Sequence, residues 1–149
     1  MHTLKRTLEI NAPAHEVWRV LTTPELVREW ASAYVDGISI RTSWREGDPV
    51  TWKAPDGSTR AKGEVAAFKP QKLLKFDYGD PDATVPAESR TFSDTFELEE
   101  VDRRTRLRLT TGPLDDEEFK ALKEPLGRAI EEIKSLAEES AQIRGLRHG

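Results

Sequence analysis

The sequence contains no cysteine, so disulfide bonds, thiolate nucleophiles and cysteine-ligated metals are excluded from its chemistry. Histidine is nearly as scarce: His2, His15 and His148 are the full set, and no two have metal-ligand spacing. We therefore predict no metal site and no cofactor. There is also no serine elbow and no glycine-rich phosphate-binding loop, so no catalytic motif identifies a reaction.

Long hydrophobic runs are absent as well. No stretch approaches the roughly 18 consecutive apolar residues of a membrane-spanning helix, so we expect no membrane span. Residues 1–6 have no apolar region after their charges, so we expect no signal peptide and a cytoplasmic protein. The net charge is −4 and no basic stripe dominates, so nucleic acid is not a predicted partner.

The residues that are present suit one folded domain. The chain has 149 residues, 36% hydrophobic and 34% charged, and its apolar residues occur in periodic blocks. We predict a single domain over residues 1–140, with residues 141–149 as a frayed tail.

The N-terminal part alternates between apolar and polar residues over residues 3–11, which predicts a first strand. Asn11 is a good helix cap and Pro13 suits a first turn, so a helix is predicted over about 13–21. Thr23 and Pro24 then begin a second short helix, which is predicted to end near Trp30.

Six further strands are predicted between residues 38 and 113, and Gly63 is expected to mark a bend or bulge in the fourth strand of the chain. Gly112 and Pro113 are predicted to end the sheet. Residues 79–90 form the longest irregular segment, which we expect to be a functional lip or a disordered loop. On five of these strands, alternation places the following residues on the same face as the apolar ones: Ile38, Ile40, Thr42, Trp44, Val50, Trp52, Leu74, Phe76, Tyr78, Phe92, Asp94, Phe96, Leu98, Leu107 and Leu109.

The C-terminal part has the three- and four-residue spacing of a long amphipathic helix. Asp115 and Asp116 are expected to cap its start, and Pro125 is expected to kink the helix or to divide it in two. Its apolar stripe is Phe119, Leu122, Leu126, Ile130, Ile133 and Ala137.

The order of these elements predicts an α+β fold. A curved antiparallel sheet of about seven strands buries one face, and only the C-terminal helix is long enough to cover it. A curved sheet that grips one helix can leave a hollow between the two, so we expect a cavity there.

Several motifs occur in the order typical of one superfamily. They are Ile10-Asn11-Ala12-Pro13, Val17-Trp18, Leu21-Thr22-Thr23-Pro24-Glu25 with Trp30, Asp56-Gly57, Gly63-Glu64-Val65, Pro70 ahead of Leu73-Leu74, Thr95-Phe96-Glu97-Leu98-Glu99, Thr105-Arg106-Leu107 and Ile133-Lys134. With them nearly the whole chain resembles the START-like (SRPBCC) superfamily, and more narrowly the branch named for the activator of the heat-shock protein 90 ATPase.

This resemblance implies a helix-grip fold with an internal cavity for an apolar or amphipathic small molecule. It does not imply one reaction, because relatives include lipid and hormone carriers, polyketide cyclases and chaperone regulators. Two positions depart from the family pattern: Leu126 stands where the last helix often carries tryptophan, and Asp94 stands where relatives are usually apolar.

The candidate ligand-binding residues are those expected to line the cavity. Each aromatic ring among them has an alternative role as ordinary core, which is the more frequent role for any single ring. The predicted set is Trp30, Trp44, Trp52, Phe76, Tyr78, Asp94, Phe96, Leu107, Leu109, Phe119, Leu122, Leu126 and Ile130.

Asp94 is the candidate for chemistry. If it faces inward, burial would raise its pKa, and it could act as a general base or anchor a polar ligand group, with Tyr78 as a neighbouring hydroxyl. The alternative is that it lies at the exposed start of its strand or that a bulge turns it outward. We expect the outward position, since an unpaired buried carboxylate is costly.

Three functions remain open from the sequence. The first is binding of a hydrophobic or aromatic small molecule without established catalysis. The second is regulation of a chaperone ATPase through the outer surface, where Glu131, Glu132, Glu138 and Glu139 form an acidic helix face that is more often simply solvated. The third is a cyclase or dehydratase that uses Asp94 as its acid. We expect a monomer or a weak dimer.

Overall fold

The computed structural model describes residues 1–79 and 92–148. The predicted loop over residues 79–90 therefore lies, except for residue 79, outside the described residues. Strands and helices follow the predicted order, and the α+β helix-grip architecture is confirmed. The elements are β1 (His2–Ile10), α1 (Ala14–Thr22), α2 (Pro24–Ala31), β2 (Ser39–Thr42), β3 (Pro49–Lys53), β4 (Thr59–Lys69), β5 (Leu73–Tyr78), β6 (Phe92–Val101), β7 (Arg104–Leu114) and α3 (Asp116–His148).

The strands of the described residues form one antiparallel sheet of seven strands in the order β1-β7-β6-β5-β4-β3-β2. β1 and β2 are the first two strands along the chain, but they lie at opposite edges of the sheet. α1 and α2 connect these two edges, and α3 packs against β1, β7 and both short helices. One face of the sheet is therefore covered by helices, and the hydrophobic core lies between the two layers.

The long helix begins with a capping box. Glu118 N–H donates to Asp115 Oδ1 at 2.8 Å, and Asp115 N–H donates to Glu118 Oε1 at 2.9 Å. Pro125 does not divide α3, which is continuous to His148. The carbonyl that loses its partner to Pro125 belongs to Ala121, and Ala121 is exposed, so water can hydrogen-bond to it. In the described part of the chain, no helix is long and apolar enough to cross a membrane.

Two predicted ends are wrong. β7 continues past Gly112 and Pro113 to Leu114, which pairs with His2 of β1. Proline is tolerated there because it lies next to the end of the strand, where few ladder hydrogen bonds remain. The residues expected to form a frayed tail from residue 141 onward are helical as far as His148, and Arg144 among them lies 3.0 Å from the buried carboxylate of Glu16 on α1.

The start of α1 also differs from the prediction. Asn11 does not cap the helix, because Pro13 occupies the capping position and no side chain there makes a capping hydrogen bond. Instead Glu100 of β6 accepts the Ala14 N–H at 2.6 Å, and Glu138 of α3 accepts the Asn11 N–H at 2.8 Å. A distant carboxylate thus satisfies the first N–H of α1 from the sheet, and a second one connects the residue two places before the capping position to α3.

Gly63 marks a close approach between β4 and β5. A Cβ atom added there would lie 1.9 Å from the Asp77 carbonyl oxygen, so no larger residue fits without a backbone shift. The register between the two strands is regular at Gly63, where a bulge was expected, and shifts instead between Val65 and Ala67. Gly63 pairs directly with Tyr78, so this approach fixes one residue of the candidate site.

Candidate functional site

Asp94 lies on the inner face of β6, and only 7% of its surface is exposed. The outward position that we expected from the sequence is wrong. The register of β6 is regular on both sides at this position, where Asp94 pairs with Phe76 of β5 and with Thr111 of β7, so no bulge turns the side chain outward.

Thr111 satisfies one oxygen of this buried carboxylate. Its Oγ1 donates a hydrogen bond to Asp94 Oδ1 at 2.5 Å, and Thr111 itself is 3% exposed. The turn between β6 and β7 determines the pairing. Asp102 and Arg103 have positive φ values of 54° and 65°, as in a two-residue hairpin turn, and Asp94 and Thr111 lie eight residues before and after it.

A second donor reaches Asp94 from β5. The Tyr78 hydroxyl hydrogen-bonds to the carboxylate, and it accepts a hydrogen bond from the Trp52 indole Nε1 at 3.0 Å. Burial, and after it the charge of Asp94, raises the pKa of the Tyr78 phenol well above its usual value, so this hydroxyl keeps its proton. The result is a directed chain of hydrogen bonds from Trp52 through Tyr78 to Asp94.

The proton affinity of Asp94 is altered by this environment. Burial raises the pKa of the carboxyl from 3.8 to about 6, while the hydrogen bonds from Thr111 and Tyr78 act in the opposite direction. At pH 7 the carboxylate is mostly ionised, and it takes up a proton just below neutrality. Such a group can anchor a polar ligand atom or act as a general base.

Aromatic rings form a continuous wall beside the carboxylate. Tyr34 meets Trp52 edge-on with ring centroids 5.6 Å apart, and Tyr78 lies 6.2 Å from Trp52 and 5.1 Å from Phe92. Burial, followed by the charge of Asp94, raises the pKa of the Tyr34 phenol, as expected for a ring near the carboxylate. Tyr34 and Phe92 are only half-buried, so solvent reaches part of this wall.

Most of the other predicted ligand-binding residues are tightly packed. Trp30 and Phe96 have ring centroids 5.7 Å apart, and the Trp30 indole donates to the Val20 carbonyl at 3.0 Å. A side chain with almost no exposed surface borders no space large enough for water. The predicted residues that are at most 1% exposed are Trp30, Phe76, Phe96, Leu107, Leu109, Leu126 and Ile130.

Three predicted residues are half-buried. Trp44 was expected on the second strand but lies beyond its end, with a φ of 61°, and its ring packs against Phe68 and Phe76. Phe119 and Leu122 lie on the first turns of α3. Because β7 leads directly into α3, these turns begin at the end of the sheet that also holds Thr111.

The family assignment follows from the sequence together with this fold. The chain matches, over residues 11–138, the sequence model of the family described as "Activator of Hsp90 ATPase homolog 1-like protein". It belongs to that family. The predicted resemblance to the heat-shock protein 90 activator branch of the START-like superfamily is therefore confirmed.

Solved structures agree with this assignment. The chain is similar to protein MLL2253 from Mesorhizobium loti, with 23% identity and a TM-score of 0.73, covering 93% of this chain and 98% of that one. It is also similar to the Aha1 dimer from Colwellia psychrerythraea, with 18% identity and a TM-score of 0.71, covering 93% and 97%. At these identities the likeness shows the fold alone. Among curated protein sequences, none matches the chain.

Within this activator-homologue fold, sequence reasoning missed two residues that contact the site. Thr111 could have been found by reading the β6–β7 turn as two residues, which pairs it with Asp94. Tyr34 lies in the connection between α2 and β2, where no periodicity indicates which way a side chain points. Phe92 was recognised as an inward ring but was not included among the candidate binding residues.

No metal centre accompanies the site in the part of the activator-homologue chain that the structure describes. There, no three His, Asp or Glu side chains gather in a way that could hold a metal ion. His15 lies 3.5 Å from Glu16, which is itself buried beside Arg144, and His2 hydrogen-bonds to Asp116 at the start of α3. Both histidines therefore contact a carboxylate in the first turn of a helix, Glu16 in α1 and Asp116 in α3.

Proposed function

We propose that this chain binds an amphipathic small molecule with an aromatic or apolar body, at the end of the sheet that holds Asp94. The observation that carries the proposal is a carboxylate buried among aromatic rings and hydrogen-bonded by Thr111 and Tyr78. Retaining a desolvated charge in a core is costly, and such a group is usually kept for a function. The apolar body would pack on the aromatic wall, and the polar group would meet Asp94.

The exposure pattern supports this location. The core residues nearest the centre are fully packed, whereas Tyr34, Phe92, Phe119 and Leu122 are half-buried. A ligand would therefore enter where side chains already lack complete packing, with little rearrangement of the centre. Phe96 and Leu126 are almost completely buried, so a larger residue at either position would disturb folding. The substitution that should block binding is therefore placed at the half-buried Leu122.

The test uses a neutral dye, prodan, whose fluorescence shifts to the blue in apolar surroundings. We expect the wild-type protein to bind it and Leu122→Trp to weaken binding at least tenfold, because the larger indole would compete with the dye for the incompletely packed region at this end of the sheet. Leu136→Trp is the matched control. Leu136 is also half-buried on α3, and it lies 14 residues, or about 21 Å, further along the helix.

Two outcomes would contradict the proposal. One is the absence of a fluorescence shift with wild-type protein at saturating concentration. The other is equal binding by wild type and Leu122→Trp when circular dichroism shows that both are folded. If Leu136→Trp also lost the dye, the site would extend along α3 and would not be confined to the Asp94 end.

The family description favours a second candidate, regulation of a chaperone ATPase through the outer surface. Part of the predicted acidic face has a structural role, since Glu138 accepts hydrogen bonds from Asn11 and Lys134. Glu131, Glu132 and Glu139 remain exposed for a partner. A heat-shock protein 90 ATPase assay with and without the protein, together with pull-down, tests this candidate. An unchanged ATPase rate and no enrichment of chaperone would remove it.

A third candidate is a cyclase or dehydratase that uses the inward carboxyl of Asp94 for acid–base catalysis. The inward position and raised pKa of Asp94 favour it. Asp94→Asn would then abolish turnover while dye binding persists. Turnover that survives Asp94→Asn would exclude this candidate.

A further inference from the structure

We infer that the polar group recognised by Asp94 is a protonated amine, so that the ligand is an aromatic or apolar amine and not a fatty acid. This inference rests on the proposed function, because it names the ligand class of the same site. It depends on which charges surround Asp94 and on which surfaces lie beside it.

The first argument is the missing countercharge. The groups that contact the Asp94 carboxylate are the hydroxyls of Thr111 and Tyr78, both neutral donors. Among the side chains that the structure describes, those of residues 1–79 and 92–145, no lysine, arginine or histidine forms an ion pair with Asp94. A buried carboxylate without a cation is unfavourable, and a ligand ammonium would supply the absent charge.

The second argument is the surface beside the carboxylate. The faces of aromatic rings carry negative electrostatic potential and attract cations, most strongly when the site is desolvated. Tyr34, Trp52, Tyr78 and Phe92 lie together beside the carboxylate, with neighbouring ring centroids 5.1 to 6.2 Å apart. Carboxylate and rings therefore favour the same ligand charge, and both disfavour a ligand carboxylate, which would be repelled by Asp94.

Three ligands that share a phenylethyl group test the inference: 2-phenylethylamine, 2-phenylethanol and 3-phenylpropanoate. Each carries one phenyl ring and differs in its polar end. Displacement of bound prodan at pH 7.5 gives their affinities. We expect the amine to bind at least tenfold more tightly than the alcohol, and the carboxylate to bind most weakly.

Two variants connect this preference to Asp94. Asp94→Asn removes the charge and keeps the size, so the amine should lose its tenfold advantage while the alcohol changes by less than threefold. Asp77→Asn is the matched control. It removes the same charge from β5, where Asp77 alternates with the inward Phe76 and Tyr78 and accepts a hydrogen bond from Ser93 on the other face. This variant should keep the amine preference.

The outcomes separate the inference from the proposed function. If prodan binds and the amine is no tighter than the alcohol, or if none of the three ligands displaces it, the amine inference is wrong and the proposed function stands. An amine preference that survives Asp94→Asn also overturns the inference. If prodan does not bind at all, the proposed function and the inference fail together.

Discussion

At the scale of single residues, Asp94 makes the protein sensitive to pH. Its folded-state pKa of about 6 exceeds the ordinary value of 3.8 because the carboxyl is buried. Below pH 3.8 it is protonated in both the folded and the unfolded chain, so it adds no pH dependence. Between 3.8 and about 6 the unfolded chain releases its proton first, so stability falls as pH rises.

The corresponding prediction concerns Asp94→Asn. The variant should be as stable as wild type near pH 3.5 and more stable at pH 7, by up to about 3 kcal/mol, since one pKa unit is worth about 1.4 kcal/mol. Urea denaturation at several pH values measures the difference. An Asp94→Asn variant less stable than wild type at pH 7 would show that the ionised carboxylate stabilises the fold.

A second residue-scale prediction compares two glycines. Gly63→Ala should lower the free energy of unfolding by at least about 2 kcal/mol, because the new methyl group would meet the Asp77 carbonyl oxygen of β5 at 1.9 Å. Gly127→Ala is the control. No atom lies within 4 Å of a Cβ there, and alanine favours helix over glycine by about 1 kcal/mol.

That comparison uses thermal or urea unfolding of both variants. Equal stability of Gly63→Ala and wild type would mean that β4 and β5 can separate at this point. A destabilised Gly127→Ala protein would mean that the outer face of α3 is packed against something at that position.

At the scale of elements, the last turns of α3 have a definite contact. Glu16 on α1 is 1% exposed, and its carboxylate lies 3.0 Å from Arg144 Nε and 3.9 Å from Arg19 Nε. A buried carboxylate that loses a cation is costly. The end of α3 therefore contributes to the attachment of α1.

We predict that Arg144→Gln lowers the free energy of unfolding by about 1–2 kcal/mol, which is less than for a fully buried pair because Arg144 is half-exposed. Lys120→Gln removes the same charge from an exposed position on α3 and should change stability by less than about 0.5 kcal/mol. Urea denaturation compares them. An Arg144→Gln variant as stable as Lys120→Gln would show that the contact between Arg144 and Glu16 does not stabilise the packing of α3 against α1.

Elements were predictable where the sequence signal is local. Alternation, turn residues and helical spacing located every strand and helix of the described chain. In the apolar stripe of α3, Leu126, Ile130, Ile133 and Ala137 are buried as expected, whereas Phe119 and Leu122 are half-buried. The end of α3 was not predictable, because its partner Glu16 is distant in sequence. Trp44 was misplaced for a similar reason: its φ is positive, and its ring packs against Phe68 and Phe76, which are distant in sequence.

At the scale of the whole molecule, the fold and the family were predictable, because many weak motifs in a fixed order together identify them. The packing of the interior was not predictable. Trp30 and Phe96 could line a cavity or fill it, and the outcome depends on how side chains of separate elements pack against each other. The inward orientation of Asp94 was missed because the free-energy cost of burying a carboxylate favoured an outward position. The hydrogen bonds from Thr111 and Tyr78 explain how the buried carboxylate is tolerated. The oligomeric state, monomer or weak dimer, stays a prediction.

The most direct test of the proposed site uses the four tryptophan indole N–H signals in a nitrogen-15 NMR spectrum, assigned by Trp→Phe variants. On addition of 2-phenylethylamine or 2-phenylethanol, we predict that the Trp52 signal shifts, because its N–H donates to Tyr78 beside Asp94. Trp30, bonded to Val20 in the packed centre, should stay fixed, as should Trp18. An unchanged Trp52 signal, or shifts confined to the other tryptophans, would contradict a ligand site at Asp94.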